Sequence, residues 1–211
     1  MNTVAERVEF ESGAVLLLAD LAEILVGYQA RSAIEENLNG PFTIIRGQDF
    51  DEEGRLDLDR AMRFSPSGGV DPANYLIEPG DLLIQARGQK HLAYPITEPL
   101  QNTVASNTFY IIRIHAQAGM RPEYLAWWLN QPQIQAYFER EQGVSTVPFI
   151  SKGTLADASI HVPAQHIQHL ICELVSLWQR ERVLRRLLID KRERLIHAAA
   201  RQAVERLYKE R

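Results

Sequence analysis

Residues 165–211 contain no Gly and no Pro and are rich in Leu, Arg, Glu and Ala. Gly and Pro are the two residues least tolerated inside a helix, so a stretch this long without either reads as one continuous helix. Leu170, Leu174, Leu177, Leu184, Leu188, Leu195 and Ala198 recur with gaps of 4, 3, 7, 4, 7 and 3, which is a heptad seam. Its skipped positions fall on Glu181 and Lys191. As a single helix the segment reaches roughly 70 Å at ~1.5 Å per residue. A body of about 165 residues cannot cover such a helix, so the seam is expected to pack on a partner helix.

The chain ahead of it has a different character. Residues 1–13 read as a polar arm, and Ala14 to Val26 as a short strand leading into a helical turn with Asp20 as its N-cap. Asn37-Leu38-Asn39-Gly40 is a turn signal before the β-branched strand Phe42-Thr43-Ile44-Ile45. Residues 49–74, rich in Asp, Glu, Gly, Ser and Pro, read as a long loop. Strands are expected over Asp81 to Ala86 and Phe109 to Ile114. Helices are expected over Glu123 to Asn130 and from about Gln133 to Glu141. Gly143 to Pro148 is a flexible hydroxyl-rich loop, and Thr154 to Val162 returns to the core. The expected architecture is therefore α+β: a mixed, β-rich domain over residues 1–163, then a long helix over 164–211.

Charge divides at nearly the same place. Residues 1–179 hold 12 Lys and Arg against 22 Asp and Glu, while residues 180–211 hold 11 against 5. An acidic body carries a basic tail. The single cysteine, Cys172, excludes an internal disulfide framework and a Cys-based zinc site, which suits a reducing cytoplasm. Residues 1–15 carry Glu6, Glu9 and Glu11 and lack a basic start, so no signal peptide is expected. The apolar run Ala14 to Ala19 is too short to span a bilayer, and a membrane role is not expected.

Signatures of chemistry are missing. There is no Gly-x-Ser-x-Gly elbow, phosphate-cradling Gly-rich loop, His-Glu-x-x-His or Cys-His pairing, and no methyltransferase or nuclease signature. His166 and His169 stand three apart at the helix start without a third ligand at a matching distance, so they read as surface residues and no metal is expected. The expectation is a non-catalytic protein without a cofactor.

Polar residues suited to nucleic acid gather in three places. Pro79-Gly80-Asp81 is a turn opening a buried strand, and Gln85, Arg87 and Lys90 stand at that strand's far end around Gly88. Long donors there can reach phosphates or base edges, Arg pairing with guanine and Gln with adenine; a solvated strand end is the plainer reading. Thr146 and Lys152 flank the Gly/Pro loop, beside the core residues Ile150 and Leu155. Arg31 and Arg46 flank the first loop region, ahead of an acidic run, Asp49 to Glu53, that would repel phosphate.

Two of these segments carry a resemblance. Pro79-Gly80-Asp81-Leu82-Leu83-Ile84 is followed by Phe149-Ile150-Ser151-Lys152 with Leu155, then Ile160, Pro163, Gln168 and Ile171 running into the Arg-rich helix. Arg121-Pro122-Glu123-Tyr124-Leu125 with Trp128-Leu129 lies between. In order and spacing they resemble a target recognition domain and its trailing helix, as found in the specificity (S) subunits of type I restriction-modification systems. The resemblance covers roughly residues 15–200. It implies a subunit that selects a double-stranded DNA sequence and performs no chemistry. Its partners would be a DNA methyltransferase subunit and, in full systems, a restriction/translocase subunit.

Family members carry two recognition domains and two helices in one chain; here there is one of each. The resemblance therefore implies a half-size form that homodimerises through Leu170, Leu174, Leu177, Leu184, Leu188 and Leu195. The acidic body departs from the pattern and leaves open an adaptor on the same fold without DNA recognition.

Overall fold

A computed structural model describes residues 13–31, 33–51, 54–66, 69–143 and 147–209, with side-chain exposure given as far as Arg206. The chain divides into two units, residues 1–170 and 171–211. The architecture is α+β, as the sequence pattern predicts.

The first unit opens with strand β1 (Ala14–Leu17), a single helical turn α1 (Leu18–Leu21) and strand β2 (Ala22–Val26). Asp20 is not the N-cap: it sits inside the turn, and its carboxylate accepts from the Leu17 backbone N–H at 3.2 Å. The carboxylate thus closes the turn from its third position rather than from the cap. Strand β3 (Phe42–Ile45) follows, and residues 49–74 are more structured than a loop. They hold strand β4 (Met62–Phe64), antiparallel to β3, and a 3₁₀ turn at Pro72–Tyr75 capped by the Asp71 side chain. Phe50, Phe64 and Val70 interrupt the polar composition and anchor this segment in the core.

Strands β5 (Leu82–Gln85), β6 (Ala93–Pro95), β7 (Thr103–Ala105) and β8 (Phe109–Ile114) complete the main sheets. One sheet has the order β2-β8-β5-β6, all antiparallel; a second has β4-β3-β7, with β3 and β7 parallel. Leu82, Leu83 and Ile84 are all fully buried. The strand is covered on both faces, which is why it reads as an unbroken apolar run rather than an alternation. Leu83, Phe109 and Ile111 share one cluster with Ile45, Phe50 and Tyr94, each contributing about 1.5–3 kcal/mol by burial.

Helices α2 (Pro122–Leu129) and α3 (Pro132–Glu141) each start on a proline, where the missing N–H costs nothing. Their junction closes the free edge of β6: the Asn130 amide accepts from Ala93 N–H and donates to Ala93 O, both at 2.8 Å. Gln135 does the same for His91, accepting at 3.3 Å and donating at 2.9 Å. Paired edge groups cannot recruit another chain. Helix α4 (Lys152–Ala156), capped by Ser151, leads to β9 (Ser159–Val162), which pairs antiparallel with β1.

Helix α5 (Gln165–Lys209) begins in the first unit and makes up the second. Its first turns are tied down by Gln168, which is fully buried. The Gln168 amide accepts from Arg121 N–H at 2.9 Å and donates to Gly119 O at 3.0 Å and Pro163 O at 2.9 Å. Further along, the seam leucines are 57–68% exposed. No described helix is long and apolar enough to cross a membrane.

Candidate nucleic-acid interface

The ends of three strands meet at one short turn, Ser106-Asn107-Thr108. From β2, Tyr28 N–H donates to Ala105 O at 2.7 Å and Gly27 N–H to Phe109 O at 3.1 Å. From β3, Ile45 O accepts from Ser106 N–H at 2.9 Å. From β5, Ala86 N–H donates to Thr108 O at 2.8 Å. Ser106 Oγ and Thr108 Oγ1 bond each other at 2.7 Å, and Asn107 stands exposed at the tip. Gly27 is required here: a Cβ on it would lie 2.1 Å from Ser106 O.

Residues 86–92 connect β5 to β6 as a hairpin loop, with Arg87 and Lys90 exposed and Gln85 half-buried at its base. The loop is held on every side. Gln85 N–H donates to Leu92 O at 3.0 Å, and His91 Nδ1 lies 2.8 Å from Gln85 O, so that nitrogen carries the proton. Across from it, Gly88 N–H donates to Pro148 O at 2.9 Å and Ile150 N–H to Ala86 O at 3.0 Å. Those two bonds bring the segment leading to Lys152 against the hairpin loop. Lys152 is the exposed first residue of α4. Thr146 lies outside the described residues.

Gln85 reaches the residue that follows Arg46: a Cβ added at Gly47 would sit 3.0 Å from Gln85 Nε2. Arg46 does not offer a bare charge. It is half-buried, its backbone N–H donates to Asp49 Oδ2 at 2.8 Å, and its guanidinium lies 3.5 Å from Asp49 Oδ1. Asp49, read as repelling phosphate from the surface, is instead fully buried beneath Arg46. Arg31 is exposed farther along the chain from β2, with Gly69 beside its guanidinium. Sequence reasoning missed Ser106, Asn107 and Thr108; a polar triplet between Val104-Ala105 and Phe109-Tyr110 was the available signal.

At the opposite end of β5 lies an open cleft lined by Glu78, Asp81, Arg113, His115, Met120 and Gln165. Arg113 is engaged there by Asp81 and Glu78, and its hydrogen bond to Asp81 raises its pKa above the ordinary value against the opposing effect of burial. Among the described residues no three His, Cys, Asp or Glu side chains cluster as metal ligands.

The chain is thus an α+β module with a loop-bearing strand edge and a long trailing helix. That is the fold of type I restriction-modification S subunits. The HsdS subunit from Thermoanaerobacter tengcongensis matches with a TM-score of 0.54 at 16% identity, over 85% of this chain and 40% of that one. The S subunit from M. genitalium matches with a TM-score of 0.54 at 9% identity, over 85% and 41%. A chain from a structure addressing assembly and conformational transition of the type I R-M system matches at 0.55 and 16% identity, over 85% and 41%. The chain therefore spans about 40% of the length of the solved proteins it matches. No protein-family model matches it, and no curated protein does.

Proposed function

We propose that this chain is a non-catalytic DNA specificity subunit of a type I restriction-modification complex, reading double-stranded DNA in the cytoplasm. The observation that carries this reading is the convergence of the β2, β3 and β5 ends, on an S-subunit fold, into one edge presenting Gln85, Arg87, Lys90 and Lys152. Arg87, Lys90 and Lys152 are suited to phosphates, and Gln85, held beside Gly47, to an adenine edge. Arg46, Arg31 and Thr146 complete the set.

In this reading a DNA methyltransferase subunit and a restriction/translocase subunit supply the chemistry. The exposed seam from Leu170 through Leu174, Leu177, Leu184 and Leu188 to Leu195 pairs with the same helix of a second copy. Two-fold symmetry then calls for a palindromic, interrupted site. The test is selection of bound duplexes from a random DNA pool, with the methyltransferase subunit encoded nearest to this gene present. A split palindrome is expected.

One observation favours a second reading. The acidic balance of residues 1–179 opposes phosphate binding, as an adaptor docking through its basic helix would tolerate. Absence of any enriched motif, with the complex assembled, selects that reading.

A further inference from the structure

The two positions where the seam of α5 lacks an apolar residue are Glu181 and Lys191, of opposite charge. We infer that they pair with each other between two copies of the chain, and that this pairing sets a single antiparallel register with its two-fold axis level with Arg186. The inference rests on the self-pairing proposed above and specifies it.

Beyond Leu170 the seam consists of two heptad sets, one at Leu174, Glu181, Leu188 and Leu195, the other at Leu177, Leu184, Lys191 and Ala198. When two such helices run antiparallel, members of one set face members of the other. Placing Leu184 opposite the second copy's Leu188 puts Leu177 opposite Leu195 and Leu174 opposite Ala198. Glu181 then faces Lys191, twice per dimer. From Leu174 to Ala198 every charged position meets its opposite and every apolar position meets an apolar one; Leu170, outside that span, falls level with Gln202.

Neighbouring registers fail. A slip of one heptad in one direction sets Glu181 against Ala198 and Lys191 against Leu188; in the other, Glu181 meets Leu184 and Lys191 meets Leu174. Each leaves charges facing hydrocarbon, which costs more than a paired charge. A parallel pair would set Glu181 against Glu181 and Lys191 against Lys191, a repulsion that excludes that orientation. Within one chain Glu181 is already 2.7 Å from Arg185, one turn on, so its carboxylate is oriented by a cation of its own helix. The leucines concerned are 58–68% exposed in the single copy, so among the described residues nothing covers the seam.

The experiment measures the dimer dissociation constant of the full chain by sedimentation equilibrium for the wild type, Glu181→Lys, Lys191→Glu and the double exchange. Each single change makes like charges meet twice and is expected to weaken the dimer by about tenfold or more. The double exchange restores opposite pairs and wild-type affinity, and mixing the two single variants yields a heterodimer. Single variants that dimerise as tightly as the wild type, or a double exchange no tighter than the singles, overturn the register while leaving self-pairing intact. A wild-type chain that is monomeric at every concentration overturns the self-pairing and the register with it.

Discussion

Arg113 on β8 grips Asp81 from two sides, its Nε donating to Oδ1 at 2.9 Å and its Nη2 to Oδ2 at 2.8 Å. Asp81 is 1% exposed and also accepts from Glu78 N–H at 2.8 Å. That last bond closes the Pro79-Gly80 turn, in which Gly80 takes φ 94° and Asp81 N–H donates to Glu78 O at 3.1 Å. Positive φ at the third residue of a turn, immediately after its proline, is the type II arrangement that glycine favours. The turn is thus a carboxylate clamp joining β5 to β8 as well as a strand opener.

Removing that carboxylate strands the guanidinium beneath the turn. Asp81→Ala is expected to destabilise the fold by roughly 2–4 kcal/mol, short of a fully buried pair because Arg113 keeps partial exposure and a second partner in Glu78. Denaturant unfolding of Asp81→Ala, Arg113→Met and the double variant tests it. Strict additivity of the two losses would show that the pair is not coupled.

Gln168 is the corresponding staple at the base of α5. Gln168→Leu keeps the volume but deprives Arg121 N–H and Pro163 O of their partner, at a cost of about 2–4 kcal/mol. Gly119 O is still served by Gln165. Accelerated hydrogen exchange at the Arg121 amide is the local readout; unchanged protection there would show that Gln168 does not hold this junction.

The contrast between these residues and the rest of the chain explains what was legible in advance. Helix α5 follows from the absence of Gly and Pro across 165–211, and β5 and β8 follow from runs of Leu and Ile. Those signals are local. The Asp81–Arg113 pair spans 32 residues and the Gln168–Arg121 bond 47, so nothing near either residue announces its partner. Strand β4 stayed hidden because three residues, Met62–Phe64, sit in polar surroundings and owe their state to pairing with β3. At the candidate interface, Gln85, Arg87 and Lys90 were legible as donors beyond a buried strand. Their neighbourhood was not, since Ser106 to Thr108 join them only through contacts with three separate strand ends.

Gly27 tests that neighbourhood. Its added Cβ would meet backbone, not a flexible side chain, at 2.1 Å from Ser106 O and 2.8 Å from Ala105 O. Gly27→Ala is expected to cost roughly 1–3 kcal/mol or more through forced separation of β2 from the turn. A thermal unfolding midpoint equal to the wild type's would show that the strand ends are not tightly joined.

Charge separates the proposed DNA-contacting residues from one another. Arg87→Gln and Lys152→Gln should each lower the slope of log affinity against log salt by about 1 and weaken binding evenly across sequences. Arg46→Gln should change that slope less, because Asp49 already compensates the guanidinium at 3.5 Å. Gln85→Ala should leave the slope alone and instead relax the selected motif at one position, a loss of ~1–3 kcal/mol confined to the preferred base. Titrating each variant with the selected duplex and with single-base variants of it, across a salt series, reads all three effects together. Equal slopes for Arg87→Gln, Lys152→Gln and wild type would place DNA away from this edge. An unchanged motif for Gln85→Ala would leave Gln85 as a strut for the Arg46–Gly47 turn.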